Sequence, residues 1–275
     1  IFVSFLIFIF SFPRFRDTLK SIDHNNSERI PIMSKAAIIT GASKGIGAAT
    51  ALSLAKRGYD LFLCGNHSSE ELTDICTKCK AAGVQCATHT GDLSQPEEAE
   101  TIVKQALSLY PHIDVLINNA GISYVGLMQS LSVEDWHRIV SVNLSAAFHL
   151  CQQIVPHMVQ QKQGKILNVS SIWGVHGASC EVAYSTTKGG LNTFTKALAK
   201  ELAPSGISVN AIACGMIDTQ MNASFSEEEI AEICEEIPCG HMASAAETGD
   251  FIALLLEASP YMTGQIIGFD GGWGV

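Results

Sequence analysis

Residues 36–47 read AAIITGASKGIG. Ala36–Thr40 is a short apolar run of the kind that forms a strand buried on both faces. Gly41, Gly45 and Gly47 follow it, spaced G-x-x-x-G-x-G, and a helical pattern then runs to about Arg57, where Gly58 stops it. A glycine-rich turn between a strand and a helix lets a pyrophosphate approach the backbone and rest on the positive end of the helix. Any tight strand-to-helix turn favours glycine, so the turn gains weight from its neighbours. Outward from it, apolar runs alternate with longer helical ones. Asp60–Cys64 is a second strand, Glu70–Ala82 a helix stopped by Gly83, and Gln85–His89 a third strand. Pro96 sits in the first turn of a helix ending near Leu109. Ile113–Ile117 is a fourth strand, and a long helical stretch spans about Ser132 to Val159, with Pro156 bending or ending it. Lys165–Val169 is a fifth strand. Ala183–Ala203 is a helix closed by Pro204 and Gly206, and Ile207–Ala211 a sixth strand. An irregular segment over 214–243, a helix over Ala245–Glu257 and a last strand over Gln265–Phe269 complete the chain. Strands alternating with long helices imply an α/β fold, one doubly wound parallel sheet with right-handed crossovers, from Met33 onward.

The chain has 275 residues, 47% hydrophobic and 16% charged, enough for a sizeable core. Its net charge of −10 and pI near 5.3 argue against a nucleic-acid binder, which shows a basic face. Nine cysteines without a paired framework suit a reducing cytosol. Cys76 and Cys79, with Cys86 nearby, lack the second pair a zinc site needs, so no metal is expected. Six of the twelve phenylalanines fall within residues 1–15. The run IFVSFLIFIFSF is short for a bilayer span and lacks a basic leader and a small-residue cleavage site. The expectation is a natural start at Met33, with 1–32 an upstream frame or disordered extension; the rival is a membrane-associating leader.

Chemistry concentrates in SIWGVHGASCEVAYSTTK, residues 171–188. Tyr184 and Lys188 lie one helical turn apart on one face. Ser171 ends an apolar strand run, so a hydroxyl, a phenol and an ammonium can share a cleft. An ammonium beside the phenol is expected to lower its pKa toward the working pH. Taken alone, Tyr-x-x-x-Lys is more often a solvated helix face. The end of the second strand, with Asn66 and His67, carries no carboxylate to grip an adenine ribose. Lys44 offers a cation there instead, which favours NADP(H) over NAD. Asp92 is expected to meet adenine or cap its own turn. Asn118 and Asn119 would tie loops and line the cleft, and Asn143 would mark a helix distortion that holds a water beside Lys188.

Together, TGASKGIG (40–47), NNAG (118–121), Asn143, Ser171 and Tyr184-x-x-x-Lys188 resemble the short-chain dehydrogenase/reductase family, over about Ser34 to Val275. Ile217-Asp218-Thr219 and the terminal Gly264-Gln265 and Asp270-Gly271-Gly272 resemble it too. The chain looks most like bacterial 3-oxoacyl-[acyl-carrier-protein] reductases. The resemblance implies that Tyr184 donates a proton to a carbonyl oxygen and Ser171 stabilises that oxygen. Lys188 would tune Tyr184 and hold the nicotinamide ribose, and Asn143 would anchor a relay water. It implies cofactor contacts at Gly41, Ser43, Lys44, Gly45, Ile46, Gly47, Asp92, Leu93, Asn119, Ala120, Gly121, Ile217 and Thr219. It also implies a homotetramer paired through 132–159 and 183–203. Segment 216–243 would be a mobile lid, and the location cytoplasmic. Cys214-Gly215 replaces the family's Pro-Gly, which suggests a looser loop. The form of Trp173–Glu181 resembles a subgroup of elongation factor P 5-aminopentanone reductases. A second substrate reading is therefore a ketone on a modified lysine, against an acyl carrier met by Arg138, Lys162 and Lys196. A non-catalytic nucleotide-binding scaffold is the third reading.

Overall fold

β1 (Ala36–Thr40) lies at the centre of the molecule because all five of its residues are buried. Its side chains alternate between two cores: Ala37 and Ile39 enter one, Ala36 and Ile38 the other. A strand that must satisfy both faces reads as an unbroken apolar run, which is why it is legible in the sequence. The computed structural model describes residues 34–66, 69–223 and 225–274. Expectations about residues 1–32 lie outside the described residues, as does His67.

Around β1 stand α1 (Gly45–Lys56), β2 (Asp60–Gly65), α2 (Ser69–Ala81), β3 (Cys86–Thr90), α3 (Pro96–Leu109) and β4 (Val115–Asn118). The chain continues through α4 (Val133–Val140), α5 (Ala146–Gln161), β5 (Gly164–Ser171), α6 (Trp173–His176), α7 (Val182–Leu202) and β6 (Ile207–Cys214). β7 (Ile217–Asp218), α8 (Glu227–Glu236), β8 (Ala243–Ser244), α9 (Ala245–Glu257) and β9 (Ile266–Phe269) end it. Seven strands pair in parallel in the order β3-β2-β1-β4-β5-β6-β9. The two cores cover opposite faces. One packs residues of α1, α2 and α9, the other residues of α3, α5 and α7. Ser34–Val275 forms one compact unit. No helix among the described residues is long and apolar enough to cross a membrane.

The order reverses between β1 and β4, and that is where an open parallel sheet leaves a crevice beyond its strand ends. Three local details add to the sequence reading. Pro156 lies inside α5, which continues past it. It sits on the exposed side, so the carbonyl it leaves unbonded faces solvent, while Ile154 and Met158 stay buried and carry the helix on. The segment 214–243 contains α8, whose start is a capping box: Ser226 Oγ accepts from Glu229 N–H, and the Glu229 carboxylate accepts from Ser226 N–H. Cys214 ends β6 in register with Ser171 on one side and Phe269 on the other, and its carbonyl accepts from Ile172 N–H at 2.9 Å.

The glycine-rich turn is set by close approach. A Cβ on Gly47 would lie 2.2 Å from the Gly41 carbonyl oxygen. Gly47→Ala is therefore expected to destabilise the fold by roughly 1–3 kcal/mol, with a fall in Tm of about 2–4 °C per kcal/mol. Thermal denaturation of the two proteins checks this; an unchanged Tm would show that the turn yields.

Candidate active site

The end of β5 and the start of α7 build the centre. Ser171 closes β5 and is buried. Its Oγ accepts the Trp173 N–H at 3.1 Å and stands close enough to the Tyr184 hydroxyl to favour the phenolate. Tyr184 stands in the first turn of α7 and Lys188 one turn on. Lys188 is buried, donates to the Val169 carbonyl at 2.8 Å, and places Nζ 5.6 Å from the centre of the Tyr184 ring. α6 lies directly on this turn of α7: a Cβ on Gly174 would be 2.7 Å from Lys188 Cβ. The side chains expected to act together are therefore in one cleft, at the carboxyl ends of the strands.

Their electrostatics differ from expectation. Burial lowers the Lys188 pKa from 10.5 to about 8. Burial likewise raises Tyr184 above its ordinary value, reinforced by Cys214 and Glu181, while the nearby Ser171 hydroxyl acts the other way. The ammonium was expected to pull the phenol down. Desolvation wins instead, and it drives both groups toward their neutral forms. Cys214 is pushed up to about 12 by burial, with Lys188 opposing, so its thiol is neutral at ordinary pH.

Asn143 lies in a π-helical turn, Ser141–Ser145, between α4 and α5. The distortion expected there is present. Its side chain, however, is committed to protein: Oδ1 accepts from Ile122 N–H at 2.8 Å, and Nδ2 donates to the Ile122 carbonyl at 2.9 Å and to Thr187 Oγ1 at 3.3 Å. Asn143 thus clamps the segment after β4. Gly121 lies between it and Lys188, with a Cβ there 3.5 Å from both Asn143 Oδ1 and Lys188 Nζ.

On the other side of the crevice, the turn from Gly41 through Ser43 to Gly47 opens α1. Lys44 is the N-cap, exposed, and makes no side-chain cap bond; no acidic residue stands in the first turn. Those free first-turn N–H groups and an exposed cation suit a phosphate. Thr219 packs against Gly45, whose Cβ would lie 3.3 Å from Thr219 Cγ2, so the loop after β6 closes beside the turn; Ile46 packs inward against the core. Asn119 and Ala120 act first as a clasp. Asn119 Nδ2 donates to the carbonyls of Thr40 and Gly41 at 2.9 and 3.1 Å, and both backbone N–H groups donate to Thr40 Oγ1 at 3.0 Å. Thr40 is a site residue the sequence reading missed; a threonine ending an apolar strand gives no separate signal. Asn118 donates to Asn168 at 2.8 Å, tying β4 to β5. Asp92 caps its own turn by accepting from Ser94 N–H at 3.0 Å, and Arg138 lies 3.4 Å from it. These contacts, the Ser94 N–H first, hold the Asp92 carboxyl below its usual range. Leu93 packs on one core, and Ile217 is buried in the other. Asn66 follows directly on β2. Open glycine backbone, unpaired helix N–H groups and an exposed lysine fit a dinucleotide with an extra ribose phosphate. Cys76, Cys79 and Cys86 gather between α2 and β3, and no metal-holding group of His, Cys, Asp or Glu occurs among the described residues.

The described geometry has known counterparts. Residues 35–230 match the family model for short chain dehydrogenase. An uncharacterised oxidoreductase of Bacillus subtilis is 41% identical over 243 residues, 88% of this chain and 99% of its own. A 3-oxoacyl-[acyl-carrier-protein] reductase of Thermotoga maritima is 36% identical, over 86% of this chain and 97% of its own. An actinorhodin polyketide ketoreductase variant, solved with NADPH, superposes with a TM-score of 0.83 at 32% identity, over 88% of this chain and 97% of its own.

Lys188 makes stability depend on pH in a defined sense. The folded chain releases this proton near pH 8, the unfolded chain near 10.5. Between those values the unfolded state binds more protons, so stability falls as pH drops from about 10.5 to 8 and stays reduced below. The full penalty is ~3 kcal/mol. The stability of Lys188→Met relative to wild type should accordingly be higher at pH 7 than at pH 10.5 by that order. Denaturant unfolding of both proteins across the range checks it; a pH-independent difference would show that Lys188 stays charged.

Proposed function

This chain belongs to the short-chain dehydrogenase family, and on that premise we propose that it reduces a 3-oxoacyl thioester on an acyl carrier protein to the 3-hydroxyacyl form, using NADPH. The carrying observation is the grouping of Ser171, Tyr184 and Lys188 in one cleft beside the glycine-rich turn. Tyr184, kept protonated by burial, donates its proton to the carbonyl oxygen as charge develops there. Ser171 adds a second hydrogen bond to that oxygen, its hydroxyl fixed by the Trp173 N–H. Lys188, whose proton equilibrium lies near pH 8, restocks Tyr184 and holds the ribose hydroxyls. Asn143 positions the wall of the cleft through Ile122 and Thr187. The turn from Gly41 to Gly47 holds the pyrophosphate, and Lys44 the ribose phosphate. The nicotinamide supplies the hydride when bound.

The names of the Thermotoga and actinorhodin proteins support this substrate class. A second reading, a ketone on a modified lysine of a translation factor, is favoured by one observation: the basic residues suited to an acidic carrier do not gather at the mouth. Arg138 is engaged by Asp92. Lys162 caps the far end of α5, just before β5 begins. We assign the protein to the cytoplasm, in keeping with free thiols at all nine cysteines. We also propose a homotetramer. Trp136 and Phe148 leave apolar surface exposed on α4 and α5, and a monomeric mass by light scattering would overturn the assembly.

The activity test is NADPH consumption with an acetoacetyl thioester, NADH run in parallel. Turnover with NADPH is expected, and Tyr184→Phe should lower kcat about 10²–10⁴-fold while NADPH still binds. Full turnover by that variant would remove Tyr184 from the reaction; a scaffold would bind NADPH and reduce nothing.

A further inference from the structure

α6 is a single turn, Trp173–His176, between the end of β5 and the loop into α7. Its N-cap, Ile172, makes no side-chain capping bond, and Gly174 stands within the turn. One turn of helix fixes several backbone dihedrals for very few hydrogen bonds, so it does not hold its shape by itself. Yet this turn carries the group that aims the Ser171 hydroxyl, the Trp173 N–H, at 3.1 Å. A hydroxyl oxygen that accepts there keeps its own proton free to point into the cleft. The aim of Ser171 therefore depends on what grips α6 from outside.

On one side the ring of Trp273 meets that of Trp173 edge to face at 5.0 Å. The other grip comes from α7. Tyr184, Lys188 and Asn192 are spaced four apart and share one face of that helix. The α7 backbone touches α6 at Gly174, where a Cβ would lie 2.6 Å from the Lys188 carbonyl carbon. One turn further on, Asn192 Nδ2 donates to the Gly174 carbonyl at 3.0 Å. Asn192 is only 6% exposed, and its Oδ1 has no hydrogen-bond partner among the described residues. A buried amide with its oxygen unsatisfied costs stability, and an apolar side chain of similar size would spare that cost. The N–H given to Gly174 is the contact that accounts for an amide at this position.

We propose that Asn192 is a positioning residue for the reduction: it pins α6 onto α7, so that the Trp173 N–H holds the Ser171 hydroxyl in line with that of Tyr184. The inference rests on the carbonyl-reductase reading and deepens it. Ser171 and Tyr184 belong to different elements, β5 and α7. The weak turn between them takes its distance from the reacting face of α7 through the Asn192 amide. Releasing that amide leaves the glycine-rich turn and its Asn119 clasp intact, since both lie on the other side of the crevice. The role of Asn192 is therefore in aligning the carbonyl oxygen, not in holding NADPH.

The test uses the full chain with NADPH and an acetoacetyl thioester. Asn192→Leu is expected to lower kcat about tenfold, with the thioester KM and the NADPH dissociation constant within about twofold of wild type. The deciding measurement places the same substitution on Ser171→Ala and follows NADPH oxidation in single turnovers. With no hydroxyl left to aim, the loss caused by Asn192→Leu should shrink below about twofold. A merely structural role would give the same loss in both backgrounds. Asn192→Ala, which keeps α7 helical, runs the same cycle should leucine not fit. An unchanged kcat, a loss confined to KM or to NADPH binding, or an equal loss with and without the Ser171 hydroxyl overturns the role of Asn192 and leaves the reductase reading standing. A wild type that consumes no NADPH with any carbonyl removes both.

Discussion

The crevice between β1 and β4 is held open and in shape by a single small clasp, and the rest of the site is referenced to it. Thr40 and Asn119 exchange four hydrogen bonds across the strand ends, if the Ala120 N–H to Thr40 is counted with the bond to Gly41. A parallel sheet ends in unpaired backbone groups exactly where its topology reverses, and buried ones must be satisfied. Here the groups that satisfy them also fix the glycine-rich turn. The same Asn119 amide nitrogen stands 2.5 Å from where a Cβ on Gly47 would be. Backbone accounting at the strand ends and the shape of the cofactor cradle are thus one problem with one solution.

Most of the fold was legible because β1, β2, β4 and β6 are buried on two faces and α1 and α2 stop beside Gly58 and Gly83. β1, α3 and α9 fall on the residues their patterns mark. One element escaped. α8 was read as irregular because it is short and its apolar stripe, Ile230, Ile233 and Cys234, is narrow, though its Ser226-x-x-Glu229 box was present in the letters. The π turn at Ser141–Ser145 was legible as a distortion at Asn143 but not in its type, which is a change of register and not of residue. Pro156 reads as a stop only if its side of the helix is buried, and that is a tertiary fact. At the site, residue types and spacing placed Ser171, Tyr184 and Lys188 together. Their charge states were not legible, because desolvation depends on how much protein surrounds them and not on who their sequence neighbours are.

That desolvation is a stability burden accepted at the centre of the molecule. Lys188 is enclosed with one carbonyl acceptor, Val169, and no carboxylate partner among the described residues. A buried amine without a counter-ion is ordinarily removed by mutation because it weakens folding. Its retention beside a phenol that burial holds protonated fits a site in which protons must move easily and neither partner is locked in a salt bridge. Cys214 fits the same logic, being a small buried group that keeps β6 paired while adding no fixed charge.

The edge-to-face contact of Trp173 and Trp273 has an optical meaning. The chain has three tryptophans, and two of them meet at 5.0 Å and 66°, one next to Ser171 and one in the terminal turn that packs near Pro238. Indole transitions that close couple strongly, so the near-ultraviolet dichroism of this protein is weighted toward the mouth of its own cleft. Any event that separates the terminal turn from α6 changes that signal, while the third indole, Trp136 on α4, lies apart as an internal reference.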